Sequence, residues 1–144
     1  ETTGRTMEMT ELKDWTSFPD NDIRYYSGHA AYETTFKYKK MPAKDEAVLL
    51  DLGKVENLAT VYVNGKQCAT AWRTPYVVDI TEALKKGENK LKIVVVNTWA
   101  NAIQGSDEGK APFKGIWTNA KYRRASKELL PAGLLGPVSI TTCK

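Results

Sequence analysis

Short runs in which every second residue is apolar recur between Ala30 and Val96, and clusters of turn residues separate them. In the first run Ala30, Tyr32, Thr34, Phe36 and Tyr38 share one parity, while Ala31, Glu33, Thr35 and Lys37 share the other. A period of two predicts a strand with one dry and one wet face. The same alternation returns at Val48, Leu50 and Leu52, at Ala59, Val61 and Val63, at Tyr76, Val78 and Ile80, and at Leu91, Ile93 and Val95. Asn64-Gly65 sits between Val63 and Lys66. A type I′ turn needs two successive residues that tolerate positive φ, so this pair predicts a hairpin whose second strand runs from Gln67 to Trp72. Thr81 offers an N-cap for one helical turn over Glu82 to Lys86, and Gly87 stands where a left-handed residue would stop it.

The pattern changes at Asn97. Roughly forty residues follow with scattered apolar positions, until Leu134 to Ile140 reads as a last strand. A stretch that long without periodicity is usually functional or an interface, and this one holds Trp99, Trp117, Tyr122, Arg123 and Arg124. Seven or eight short antiparallel strands with at most one or two helical turns predict an all-β, two-sheet β-sandwich, most simply a jelly roll. An immunoglobulin-like sandwich competes, but the Cys-Trp-Cys spacing of antibody domains is absent. Glu1 to Arg5 is the one stretch expected to be flexible.

The 144 residues suit a single domain spanning 1–144, with its core within about 10–142. A first residue Glu1 in place of Met suggests a processed chain or an excised piece. The formal charge of +4 arises from lysines scattered among polar and apolar neighbours, with no nucleic-acid motif beside them, so a nucleic-acid partner is not expected. Ile93 to Val96, the longest aliphatic run, is far shorter than the roughly 20 residues a membrane span needs. Cys68 and Cys143 are compatible with one bridge or with two free thiols, and buried free thiols are the expectation. His29, the only histidine, stands beside Gly28 at the start of a strand and reads as a structural residue. No nucleophile elbow, P-loop or clustered metal-ligand spacing is present in the sequence.

Several phrases carry a resemblance when read in order: Tyr26-Ser27-Gly28, Leu50-Asp51-Leu52-Gly53, Val63-Asn64-Gly65-Lys66, Trp72-Arg73-Thr74-Pro75-Tyr76, Gly87-Glu88-Asn89, Asn97-Thr98-Trp99-Ala100-Asn101 and Leu129-Leu130-Pro131-Ala132-Gly133. Together they resemble the galactose-binding-like jelly-roll domain of glycoside hydrolases. The nearest likeness is to the C-terminal domain of rhamnosidase-like hydrolases, related to the sugar-binding domain of glycoside hydrolase family 2. One departure follows Asn101, where such domains often continue Arg-Leu-Ile-Gly-Asp and this chain reads Ala102-Ile103-Gln104-Gly105-Ser106-Asp107.

The resemblance implies a non-catalytic accessory domain of a larger secreted or periplasmic glycoside hydrolase, packed on the catalytic domain and assisting carbohydrate binding. An independent carbohydrate-binding module and a small self-contained glycosidase are the alternatives. Glycoside hydrolysis needs two carboxyl groups about 5–9.5 Å apart. Asp107 and Glu108 are sequence neighbours, and Asp51 and Asp79 fall at strand ends where acids hold turns, so no catalytic residue is assigned. Sugar recognition uses an aromatic face with planar hydrogen-bonding groups. Trp117, Trp99, Asn101, Tyr122 and Arg123 supply that inventory as candidates for carbohydrate or domain contact. Trp15, Trp72 and Trp99 are expected chiefly to pack the core or its edge, which leaves Trp117 the strongest candidate for exposure. No cofactor is expected, save that the resemblance allows one structural calcium, for which Asp107 and Glu108 are the candidate ligands.

Overall fold

The structure is a computed structural model that describes residues 4–111, 116, 118–119 and 128–144. Nine strands dominate these residues: β1 (His29–Tyr38), β2 (Ala47–Asp51), β3 (Lys54–Glu56), β4 (Leu58–Val63), β5 (Lys66–Ala71), β6 (Val77–Asp79), β7 (Gly87–Val96), β8 (Gly133–Gly136) and β9 (Ser139–Cys143). They form a four-stranded sheet in the order β1-β7-β4-β5, a three-stranded sheet in the order β6-β2-β9, and a β3-β8 pair, with every strand pairing antiparallel. The all-β sandwich read from the alternation is the observed fold.

The dry parity of each strand turns inward as its period of two requires. Ala59, Val61 and Val63 of β4 and Leu91, Ile93 and Val95 of β7 meet Val48 and Leu50 of β2 and Val78 of β6 in one buried cluster, which Leu52, Val55, Ile80 and Leu134 extend. At the predicted hairpin Asn64 and Gly65 have φ of 52° and 83°. Asn64 does more than turn the chain. Its side-chain NH2 donates to the Ala83 carbonyl and to Asn89 Oδ1, both at 2.8 Å, and its Oδ1 accepts from the Lys90 amide at 3.0 Å. Asn89 is wholly buried, and its own NH2 donates to the carbonyls of Lys85 and Gly87.

Several expectations are corrected. Helical structure exceeds two turns: 3-10 turns lie at Trp15–Ser17 and Thr81–Ala83, and short helices α1 (Asn21–Arg24) and α2 (Ala100–Asp107) are also present. Thr81 is not the N-cap of a turn reaching Lys86. Asp79 Oδ1 instead accepts from both the amide and the hydroxyl of Thr81, whose Oγ1 accepts from the Val48 amide. The last strand divides into β8 and β9 because Pro137 between them has no amide hydrogen for a ladder. Of the stretch Glu1 to Arg5 expected to be flexible, residues 1–3 lie outside the described residues, and Arg5 forms exposed ion pairs to Asp20 at 2.8 Å and Asp22 at 3.1 Å. Cys68 and Cys143 are free thiols, each half-buried instead of fully buried, and burial raises the Cys68 pKa above that of an ordinary thiol. No helix among the described residues is long and apolar enough to cross a membrane.

Candidate functional site

The aperiodic part of the chain is drawn toward the N-terminal segment by a set of short polar clamps. Asp14 Oδ1 accepts from the amides of Thr16 and Ala132, and the Trp15 amide donates to the Ala132 carbonyl at 3.0 Å. The Trp15 indole is buried and donates to the Tyr32 hydroxyl at 2.7 Å, which in turn accepts from the Leu134 amide. Desolvation holds the Tyr32 pKa above the ordinary phenol value. Gly133, with φ of 101°, lies directly under the indole, and a β-carbon there would collide with it.

Residues of α1, α2 and their flanks line a cleft of about 410 Å³. Among the described residues its walls include Thr16, Arg24, Tyr25, Gln104, Glu108, Lys110 and Glu128. Close approach is possible because Gly105 has no side chain: a β-carbon there would stand 2.5 Å from the Tyr25 ring. Glu108 is fixed from three directions. Its carboxylate accepts from Gln104 Nε2 at 3.1 Å, from Lys110 Nζ at 3.0 Å and from the Tyr25 hydroxyl at 3.5 Å. The Lys110 and Gln104 hydrogen bonds hold the Glu108 carboxyl below the usual carboxylate range, and the same contact raises Lys110. The cleft is therefore a prearranged polar site that brings α1 and α2 together across the sequence.

Of the residues singled out in the sequence, Trp117, Tyr122 and Arg123 lie outside the described residues. Trp99 is 69 % exposed and Trp72 is 67 % exposed, so neither packs the core as expected; of the three tryptophans assigned to packing only Trp15 does. Asn101 is buried, and its carboxamide closes a ring with the Leu130 backbone, donating to the carbonyl at 2.7 Å and accepting from the amide at 2.8 Å. Its polar atoms hold the returning chain and are not offered to a ligand. Asp107 and Glu108 end α2, but Glu108 already faces an ammonium. Among the described residues no group of three or more His, Cys, Asp or Glu is placed to hold a metal. That donor set suits a hydrogen-bonded carboxylate better than the oxygen cage of a calcium ion.

A second surface of interest is the outer face of the four-stranded sheet. Val95 and Ala59 point inward, so their neighbours Val96, Leu58 and, opposite Val96, His29 point outward. One row along, the outward residues are Ala31, Val94, Thr60 and Thr70. Trp72 follows Ala71 at this same end of the sheet, with the Arg73 guanidinium 5.6 Å from its ring centroid. Farther along, the face becomes charged, with Lys92 paired to Glu33 at 3.3 Å. The face thus runs from apolar at the Trp72 end to ionic at the other. Sequence reasoning missed this end because Trp72 was assigned to packing.

A family model described as glycosyl hydrolase 2 galactose-binding domain-like matches residues 8–129. A putative β-glucuronidase of Formosa agariphila is 37% identical over 93% of this chain, which spans only 14% of that protein. Among solved structures, a rhamnosidase from Novosphingobium sp. PP1Y is 38% identical and superposes with a TM-score of 0.87 over 94% of this chain and 13% of its own. A β-D-glucuronidase of Dictyoglomus thermophilum is 27% identical with a TM-score of 0.50, over 56% of this chain and 14% of its own.

Proposed function

Because the chain belongs to the glycosyl hydrolase 2 galactose-binding-domain-like family, we propose that it serves as a non-catalytic accessory domain of a larger secreted or periplasmic glycoside hydrolase, packed on the catalytic part and helping to hold the glycan. The observation that carries this reading is the mismatch of coverage. Nearly all of this chain, 94%, superposes on the rhamnosidase, yet it accounts for 13% of that protein. The names of the relatives, a rhamnosidase and a putative β-glucuronidase, support glycosidic-bond cleavage as the parent's reaction.

The apolar end of the outer sheet face is the surface suited to contact with the catalytic part. Trp72 is two-thirds exposed at the same end of the face as Val96, which is 37 % exposed. A tryptophan side chain buries about 150–250 Å² when covered, so closing what remains open on Trp72 is worth roughly 2.5–4 kcal/mol at about 25 cal/mol/Å². Ordering costs offset part of that gain.

The test has two arms. The reading frame that encodes these residues should continue into a catalytic domain, and the remaining polypeptide, produced separately, should bind this chain in trans. Trp72→Ala should weaken that association at least tenfold while leaving the thermal melt of the isolated chain nearly unchanged. Hydrolysis of aryl glycosides by the isolated chain would refute the accessory reading. Association indifferent to Trp72→Ala would remove this surface from it.

A further inference from the structure

We propose that β1, the open edge of the four-stranded sheet, pairs with β1 of a second copy of this chain, antiparallel about a two-fold axis that sets Thr35 opposite Thr35 and joins the two sheets into one. This stands apart from the accessory reading, because β1 is the edge of the sheet farthest from β5 and Trp72.

The ladder fixes which backbone groups of β1 face the opening. His29 to Tyr38 pair with Val96 to Gly87 in unbroken register, and one step before them the Gly28 carbonyl accepts from the Asn97 amide at 3.1 Å. Bonded and non-bonded pairs alternate along an antiparallel ladder, so Ala30, Tyr32, Thr34, Phe36 and Tyr38 bond to β7. The amides and carbonyls of Ala31, Glu33, Thr35 and Lys37 point away from it. Among the described residues these groups have no hydrogen-bond partner, and all four residues are exposed. Tyr26 closes only the start of the edge, its hydroxyl donating to the His29 carbonyl at 3.0 Å. The opposite edge is less suited to pairing. β5 has six residues, and its register against β4 shifts between Val61 and Tyr62, the kind of irregularity that blunts an edge.

The charges of the edge select its occupant and the register. Along the outer face of β1 the side chains run Ala31, Glu33, Thr35, Lys37. An axis through Thr35 sets Glu33 opposite Lys37 of the second copy, and symmetry repeats the pair on the other side. An axis at Glu33 or at Lys37 would bring two like charges face to face, and one at Thr34 would set Glu33 opposite Thr35 with no ion pair. Opposite charges directly across a ladder stabilise it and like charges oppose it. Lys37 forms no ion pair among the described residues, and Glu33 uses one carboxylate oxygen for Lys92, which leaves the second for the newcomer. The inner face fits the same register, which places Tyr32 opposite Tyr38 and Thr34 opposite Phe36. These three rings are only half-buried within one copy, and aromatic pairs across a ladder add to its stability. The joined stretch runs from Tyr32 to Tyr38, with roughly six backbone bonds across the axis.

The experiment is analytical ultracentrifugation of the 144-residue chain from about 30 µM to about 1 mM, with amide exchange read by NMR on the same samples. The sedimenting mass should rise from one copy to two across that range. In the dimer the amides of Glu33, Thr35 and Lys37 should exchange about tenfold more slowly than in dilute solution, while those of Thr34 and Phe36, already bonded to β7, should not change. Thr35→Pro removes an edge-facing donor and no bond to β7, so it should abolish the association with the melt nearly unchanged. Lys37→Glu and Glu33→Lys should each prevent self-association by facing like charges across the axis. An equimolar mixture of those two variants should pair, because every facing charge is then opposite. A chain that stays monomeric throughout, a dimer in which the three amides still exchange freely, or a mixture that fails to pair would each overturn the proposal. So would protection of those amides by the remaining polypeptide of the parent and not by a second copy, since the edge would then belong to that polypeptide. Trp72→Ala should leave self-association intact, so this proposal and the accessory reading fail separately.

Discussion

Replacing Asn89 with alanine should be among the most damaging single changes in this protein, although the residue touches no candidate ligand surface. Asn89 is 0 % exposed and makes four hydrogen bonds through its side chain. Its Oδ1 accepts from the Lys85 amide at 2.9 Å and from Asn64 Nδ2 at 2.8 Å. Its NH2 donates to the carbonyls of Lys85 at 2.8 Å and Gly87 at 3.0 Å. A net contribution of about 1 kcal/mol per bond gives a loss of roughly 3–5 kcal/mol, a large share of the 5–15 kcal/mol typical of a whole domain. At about 2–4 °C per kcal/mol for chains near this size, the melting temperature should fall by roughly 6–20 °C. The assay is urea unfolding followed by tryptophan fluorescence and circular dichroism, with the slope checked so that a change in midpoint reads as stability. Asn89→Asp should do no better than alanine, because a carboxylate keeps both acceptors but turns negative oxygen toward two carbonyls. A loss below about 1 kcal/mol in Asn89→Ala would refute the reasoning, since it would mean that the four partners find substitutes at no cost.

Three further outcomes follow from other positions. Gly53 and Gly65 both have positive φ, but a β-carbon at Gly53 would stand 2.5 Å from the Gly136 backbone while one at Gly65 meets open space; denaturant melts should show Gly65→Ala losing about 1–2 kcal/mol and Gly53→Ala clearly more, and equal losses would contradict the close approach. Asn101→Ala removes both bonds to Leu130 and should cost about 2 kcal/mol, with amide exchange at Leu130 accelerated well beyond that in the central strands. The Asp79 carboxyl is held below the usual range by the hydroxyl and amide of Thr81, so its stabilising effect is present above the unfolded value near about 3.9 and is lost as pH falls through the lower folded value; acid melts of Asp79→Asn should lose less stability across that interval than the parent chain, and identical acid profiles would remove Asp79 from the account.

Much of the sandwich is legible in the sequence because its signals are local. The inward parity of β1, β2, β4 and β7 and the Asn64-Gly65 turn follow from period and backbone stereochemistry, and all of them stand in the structure. What escaped depends on residues far apart. The sequence Ala100 to Asp107 shows no strong amphipathic stripe, and its helix is braced from outside by Asn101 on Leu130 and by Gly105 against Tyr25. The cleft joins Tyr25 to Glu108, a pairing that no spacing rule announces. Tryptophan misled in the opposite direction: its size argues for burial wherever it occurs, yet Trp72 comes just after a strand has ended and Trp99 just before a helix begins, and both stand in solvent.

The place of β9 governs the timing of folding during synthesis. β2 is the middle strand of its sheet, and one of its two neighbours is β9, the last described strand, with Ala47 opposite Cys143. At about 5–20 residues per second a ribosome needs roughly 5–20 s to pass from one to the other. Throughout that interval the nascent β2 has an open edge on the side that β9 will fill. The three-stranded sheet is therefore completed only after β9 has been translated.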